Sequence, residues 1–434
     1  MTYSLTGVRV AVAAAFFAQG FVFISLTTRL PRFLEHWGLD EVALSLLLLM
    51  MVLLAGAGSL VAEHTARRVG SAALLRIAFV LMVVAVPTLV LAPAMAFFVG
   101  GVAAYGIALG LVDAASNMQA VDLEHRYDRP ILPSSHGWWT TGGILAAAVS
   151  LATGHLSPAA GVFVVVVPLV AAFAPYLPHQ RADDDAGRRA GPSWGADAAG
   201  PVPGLTGPAG SRRTGTTSTP AGTTTPAEPV PWRPIWLVGA GLVVFYMVDT
   251  AASAWGPVYL ARAFDAPGNL VALATFPYLV TSIVVRLTGG ALVTRFGVTV
   301  LLRVGAVVAF AALALVVLAP TWQVAVAGFT VLGAAVALVA PLSFSAAGRI
   351  AAGGATTPAG APTAGGVGAA DRARTDAVIA RFNQFNYVGA LLGSVLTGFV
   401  GADNLRLGFA LPAVLVLALI PLAPAFARGS LGRR

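Results

Sequence analysis

The sequence predicts an all-α membrane protein of twelve transmembrane helices in two pseudo-symmetric six-helix bundles, an expectation that rests on three observations. First, the 434-residue chain is 57% hydrophobic and 10% charged, with a mean hydropathy of +0.83. A soluble domain carries about 25% charged residues, so lipid must cover much of this surface. Second, the Leu-, Val- and Ala-rich runs are about 20 residues long and show no strand alternation, and in hydrocarbon only helices satisfy the backbone of such runs. Third, the chain repeats itself. Arg67-Arg68-Val69-Gly70-Ser71-Ala72-Ala73-Leu74-Leu75-Arg76 returns 227 positions later as Thr294-Arg295-Phe296-Gly297-Val298-Thr299-Val300-Leu301-Leu302-Arg303. Gly106, Leu111, Val112 and Ser116 meet Gly333, Leu338, Val339 and Ser343 at the same offset. In so apolar a chain, a duplication of this size points to two membrane-embedded halves facing one solute pathway.

Element by element, the expected spans are residues 8–30, 42–62, 72–92, 95–120, 134–153 and 158–177, then 234–257, 269–292, 299–319, 321–347, 375–399 and 404–426. The first runs unbroken from about Val10 to Leu26, longer than a usual signal-peptide core, and so reads as a span. The domains are then residues 1–177, an N-terminal six-helix bundle, and 233–434, its C-terminal counterpart. Between them, residues 178–232 are rich in Pro, Gly, Thr and Ser with an acidic run at Asp183-Asp184-Asp185, which reads as a disordered cytoplasmic linker. A second low-complexity stretch, Gly353–Ala370, interrupts the repeat. When it is skipped, His136 aligns with Asn383 and Gly142 with Gly389.

Charge sets the orientation. All 26 basic residues are Arg, and a cytoplasmic N-terminus puts about 21 of them inside. Only Arg29, Arg32, Arg262 and Arg406 fall outside, and Arg286 falls within a span. The net charge of +8 is therefore a topology signal rather than a mark of nucleic-acid binding. Zero Cys removes disulfides and thiolate metal sites. With no metal-ligand cluster, nucleophile elbow or phosphate loop, the sequence gives no reason to expect an enzyme, a cofactor or a metal.

Ionisable groups within a span cost about 2.5–3.5 kcal/mol on insertion scales, which makes Asp113, Asp249 and Arg286 functional candidates. Asp113 shares a helical face with Gly106, Gly110 and Asn117, and small residues on that face turn it into the bundle. Asp113 could thus be a protonation site or a structural carboxylate. Asp249 has Tyr246 and Ser253 on its face, a combination suited to a solute hydroxyl or amine, or to a helix-to-helix hydrogen bond. Arg286 lies about six residues from the cytoplasmic end of its expected span, close enough to snorkel. The paired fifth and eleventh spans carry His136, Trp138, Trp139 and Thr140 against Asn383, Gln384, Asn386 and Tyr387, with Gln19 one span away. These polar and aromatic groups at equivalent places suit a shared cavity, although a His near a helix start is often packing and Trp often belongs to the interface belt.

Gly290, Leu292, Arg295 and Gly297 form a Gly-x-Leu-x-x-Arg-x-Gly pattern that resembles the loop between the eighth and ninth helices of the major facilitator superfamily (MFS). The first-half copy keeps Arg68 and Gly70 but has Glu63 at the glycine position, and the usual acidic residue is missing from both copies. Arg29-Leu30-Pro31, Trp255-Gly256-Pro257-Val258-Tyr259-Leu260 and the Ser135–Gly143 run are similar to a bacterial branch of that superfamily near the fucose permease. Gly110-Leu111-Val112-Asp113 with Asn117 resembles that permease's fourth-helix motif, in which an acid precedes an Asn by four and couples protons. The resemblance therefore implies proton coupling at Asp113. The permease's first-helix acid falls near Thr27 here, so sugar recognition does not carry over.

The expected function is a proton-coupled secondary transporter for a small polar organic solute. It would be a monomer in the bacterial inner membrane with both termini cytoplasmic, working by alternating access around a cavity lined by spans 1, 4, 5, 7, 10 and 11. Two alternatives stay open: an exporter of an amphiphilic metabolite or drug, and a transporter-like receptor or scaffold.

Overall fold

The computed structural model describes residues 4–127, 132–178, 231–351, 378 and 381–427, which are helical apart from turns and short connecting segments. Most of the 178–232 linker and the Gly353–Ala370 insertion lie outside the described residues. Helix starts follow the sequence chemistry. Ser4 caps α1 (Leu5–Thr27) by accepting from Gly7 N at 3.3 Å, and Asp40 caps α3 (Glu41–Val69) by accepting from Ala43 N at 2.7 Å. Between them lies the short α2 (Leu30–Trp37), closed by Gly38 in the left-handed region at φ 60°.

The first half continues with α4 (Ser71–Val90), α5 (Met95–Tyr127), α6 (Leu132–Thr153) and a 3-10 turn over Pro158–Val165 that runs into α7 (Val166–Ala172). The second half holds α8 (Trp232–Thr250), a π turn over Ala251–Trp255, α9 (Gly256–Phe264) and a 3-10 turn over Leu270–Ala274. It continues with α10 (Phe276–Phe296), α11 (Val298–Val317), α12 (Trp322–Val336), α13 (Val339–Ala351), α14 (Gln384–Val400), α15 (Leu405–Val416) and α16 (Leu419–Phe426). The expected spans fall on these helices or on broken pairs, except that the start of the 375–399 span lies largely outside the described residues. Among the described residues eight helical stretches are long and apolar enough to cross a membrane, and α15 with α16, bent by 41°, makes a ninth. Exposed apolar side chains recur along single helices, as Val166, Leu169, Val170 and Phe173 and as Val300, Val304, Val307 and Val308, which suits contact with lipid.

The duplication is visible in the packing. The pairs α1–α6, α3–α5 and α4–α5 recur as α8–α14, α10–α12 and α11–α12. Gly70 at φ 86° and Gly297 at φ 76° each end one long helix and begin the next, a conformation that strains a side chain. A Cβ on Gly106 would fall 2.6 Å from the Met51 carbonyl oxygen, and one on Gly333 would strike the carbonyl oxygen of Tyr278, 227 positions after Met51. The two halves thus share this helix crossing at equivalent positions. They meet each other through α3 against α14 and through α6 against α10.

Candidate functional site

Between the halves lies a cavity of about 1130 Å³, lined from both sides. Its lining runs from Thr27, Ser253 and Ala254 at one end to Val293, Val298, Ser345 and Arg349 at the other. Beyond the cavity, the first end is clasped across the halves. Arg262 donates to the Leu39 carbonyl at 3.1 Å and approaches Glu41 at 4.0 Å, Ser45 abuts Gly398, and Asn269 abuts Gly154. The cavity is therefore closed at that end and open on the side of the Gly70 and Gly297 turns. Spans 1, 4, 5, 7, 10 and 11 contribute as expected from the sequence. Leu48, Met51, Val52 and Ala55 of α3 and Leu279, Ser282 and Ile283 of α10 line it as well, because these two helices carry the contacts between halves.

Asp113 sits on α5 one turn beyond Gly110, whose close approach to the Ala55 backbone holds α5 against α3. Its carboxylate is shared. Gln19 donates to Oδ1 at 3.3 Å, and Asn117 donates to the Asp113 carbonyl at 2.9 Å and to Oδ1 at 3.4 Å. From the other half, Asn383 donates to Oδ2 at 3.4 Å and Tyr387 at 2.8 Å. Asn117 and Asn383 act through Asp113 and are not part of the cavity lining, whereas Gln19, Tyr387 and Asp113 are.

Asp249 accepts the Tyr278 hydroxyl at 2.5 Å. Tyr278, immediately after Pro277 near the start of α10, carries nothing in the sequence that singles it out; its repeat equivalent is Met51. Tyr246 lines the cavity one turn before Asp249 and packs edge-on against Phe245 at 5.0 Å between ring centres. Asn386 lines the same wall.

His136 presents its ring to the cavity between Phe16, edge-on at 5.2 Å, and Phe344, stacked at 6.2 Å. Trp138 is half exposed in the wall, and Trp139 leans on Phe23 at 6.0 Å. Arg286 does not snorkel. The helix carrying it continues to Phe296, ten residues further and about 15 Å of rise. Instead Nε donates to the Ala337 carbonyl at 3.1 Å, and Nη1 crosses to the Thr140 hydroxyl of the other half at 3.0 Å.

At the open side, Arg68 and Arg295 are exposed, with Arg295 over the Phe296 ring at 5.3 Å, and Glu63 pairs with Arg67 at 2.9 Å. Gly290 lines the cavity mouth. The Trp255–Leu260 motif is packing rather than site. All six residues are buried, with Trp255 donating to the Ser394 carbonyl at 3.0 Å and Tyr259 to the Val316 carbonyl at 2.8 Å.

No protein-family model matches the chain. It is similar to an uncharacterised transporter of Sinorhizobium fredii, with 25% identity over 77% of this chain and 81% of the relative. An uncharacterised MFS-type transporter of Yersinia pestis shows 29% identity over 32% of this chain and 36% of its own length. Among solved structures, the nucleoside transporter NupG superposes with a TM-score of 0.60 at 15% identity, covering 98% of this chain and 100% of that one. A bacterial homologue of the human lysosomal transporter Spinster, inward-facing and unoccupied, gives 0.64 at 13% identity, over 99% and 98% of the two chains. The Escherichia coli fucose:proton symporter FucP gives 0.54 at 14% identity, over 97% and 98%. At these identities the structural likenesses establish a shared fold.

Proposed function

We propose that the chain is a multi-pass membrane transporter of the major facilitator kind, as its uncharacterised transporter relative and its shared fold support, and that it carries a small polar organic solute by alternating access. In this proposal Asp113 binds the coupling proton. The observation that supports this most directly is the double allegiance of the Asp113 carboxylate, which takes donors from Gln19 and Asn117 on one half and from Asn383 and Tyr387 on the other. Hydrogen bonds to a charged group are worth about 1.5–3 kcal/mol each. Protonation removes the charge that draws those donors together, and so changes the balance between the two arrangements of the halves. One structural neighbour is named a fucose:proton symporter, which agrees with proton coupling. In this reading the Arg distribution favours a cytoplasmic location for the open side and both termini in a bacterial inner membrane, with the chain a monomer in an inward-facing state. The turns carrying Arg68, Gly70, Gly290, Arg295 and Gly297 then act as the inner gate, and residues 178–232 join the two bundles on the same side.

The test is accumulation in reconstituted vesicles. Asp113→Asn mimics the protonated acid and should abolish solute accumulation driven by a pH gradient while leaving solute binding and exchange intact. Accumulation at the wild-type level would remove Asp113 from coupling. The aromatic wall of Phe16, Phe23, Trp138, Trp139 and Phe344 favours a second reading, export of an amphiphilic metabolite or drug. Energised efflux of a fluorescent amphiphile from inverted vesicles distinguishes it.

A further inference from the structure

We infer that the transported solute is a zwitterion whose cationic group is held by Asp249 and whose anionic group is held by Arg286. This inference rests on the transport reading above and specifies its substrate. Both side chains line the cavity, and Arg286 acts on Asp249 electrostatically. Yet among the described residues neither forms an ion pair within 4.0 Å. Asp249 spends one hydrogen bond, from Tyr278, out of the several that two carboxylate oxygens can accept. Arg286 spends two of its five donors, both on neutral oxygens of Ala337 and Thr140. The other acid of the cavity is already engaged, since Asp113 accepts from four side chains.

The Asp249 end is built to receive a multiple donor. Ser253, one turn further along, is 3% exposed, and Ser394 is 1% exposed; both line the cavity with hydroxyls that have no hydrogen-bond partner. The Trp255 indole fixes the Ser394 backbone carbonyl, which holds that residue in place. An ammonium carries three donors, and the Asp249 carboxylate with the Ser253 and Ser394 hydroxyls offers three acceptors. Arg286 lies eight residues beyond Tyr278 on α10, about 12 Å of rise toward the mouth, a separation that suits the two ends of a short solute. Its planar fork suits a carboxylate.

A solute with one charge would pair with one of these groups and leave the other without a charged partner. A zwitterion satisfies both and crosses with no net charge of its own.

The test uses the full-length protein in nanodiscs and the ω-amino acid series from glycine to 6-aminohexanoate. Each member is compared by calorimetry with the alkylamine and the carboxylate of the same length. At the best-fitting length the zwitterion should bind at least about tenfold more tightly than either singly charged analogue. Asp249→Asn, which keeps an acceptor for Tyr278, should erase the advantage over the carboxylate, and Arg286→Gln should erase the advantage over the amine. Arg286→Lys should retain much of the preference. Equal binding of zwitterion and singly charged analogues, or no binding by any member of the series, overturns the inference. The transport reading fails separately, if cysteines on the two sides of the cavity never exchange their accessibility.

Discussion

The Tyr387 hydroxyl donates to Asp113 Oδ2 at 2.8 Å across the junction of the two halves, 274 positions away in sequence. It is the shortest of the four side-chain bonds to this carboxylate. Tyr387→Phe removes it while keeping the ring. The lost bond, about 1.5–3 kcal/mol, should weaken the hold between the halves and shift the pH dependence of solute accumulation. An unchanged pH profile with unchanged rates would show that the bond has no part in coupling.

The closed and open ends predict opposite labelling. Ser345 lines the cavity near its mouth, whereas Ser45 is fully buried against Gly398. The chain has no cysteine of its own, so single cysteines are clean reporters. Ser345→Cys should react quickly with a small aqueous maleimide in solute-free protein, and Ser45→Cys slowly. Comparable rates for the two would contradict the closure described here.

The repeated crossings predict matched losses. Gly106→Ala would push a methyl onto the Met51 backbone and Gly333→Ala onto the Tyr278 backbone, contacts that only backbone movement relieves. Overpacking of this kind costs about 1–3 kcal/mol. Each variant should lower the thermal unfolding temperature in detergent, by similar amounts. Retention of the wild-type temperature by either one would mean that the crossing is loose.

Orientation follows from the arginines. Reporter fusions at Thr216 and after Arg434 should both give cytoplasmic readouts. A periplasmic signal at either position would invert the assignment of inner and outer gates.

The duplication and the apolar runs made the fold legible, because an offset of 227 and helical length are properties of the chain alone. The site was legible in part. Asp113 stood out because a charge in a span is costly and because Gly106 and Gly110 marked the face that packs inward. The partners of Asp249 were not legible. Tyr278 comes from a different helix, and its equivalent in the first half is Met51, so the repeat gave no hint of it. Arg286 was misjudged because its distance to the helix end depends on where α10 stops, and the sequence carries no strong stop signal before Gly297. The Trp255–Leu260 motif was read as a family mark, and burial shows that its conspicuous residues serve the packing of the second half.

The clasp between Arg262 and the Leu39–Glu41 segment closes one face of the cavity with one hydrogen bond and an ion pair stretched to 4.0 Å, with the two side chains 46% and 18% exposed. Pairs of this kind contribute about 0–1 kcal/mol. Because 1.4 kcal/mol corresponds to a factor of ten in population, the ion pair by itself biases the two faces by roughly fivefold or less. Charge therefore does not lock this face, and its closure rests mainly on the close contacts of Ser45 with Gly398 and of Asn269 with Gly154.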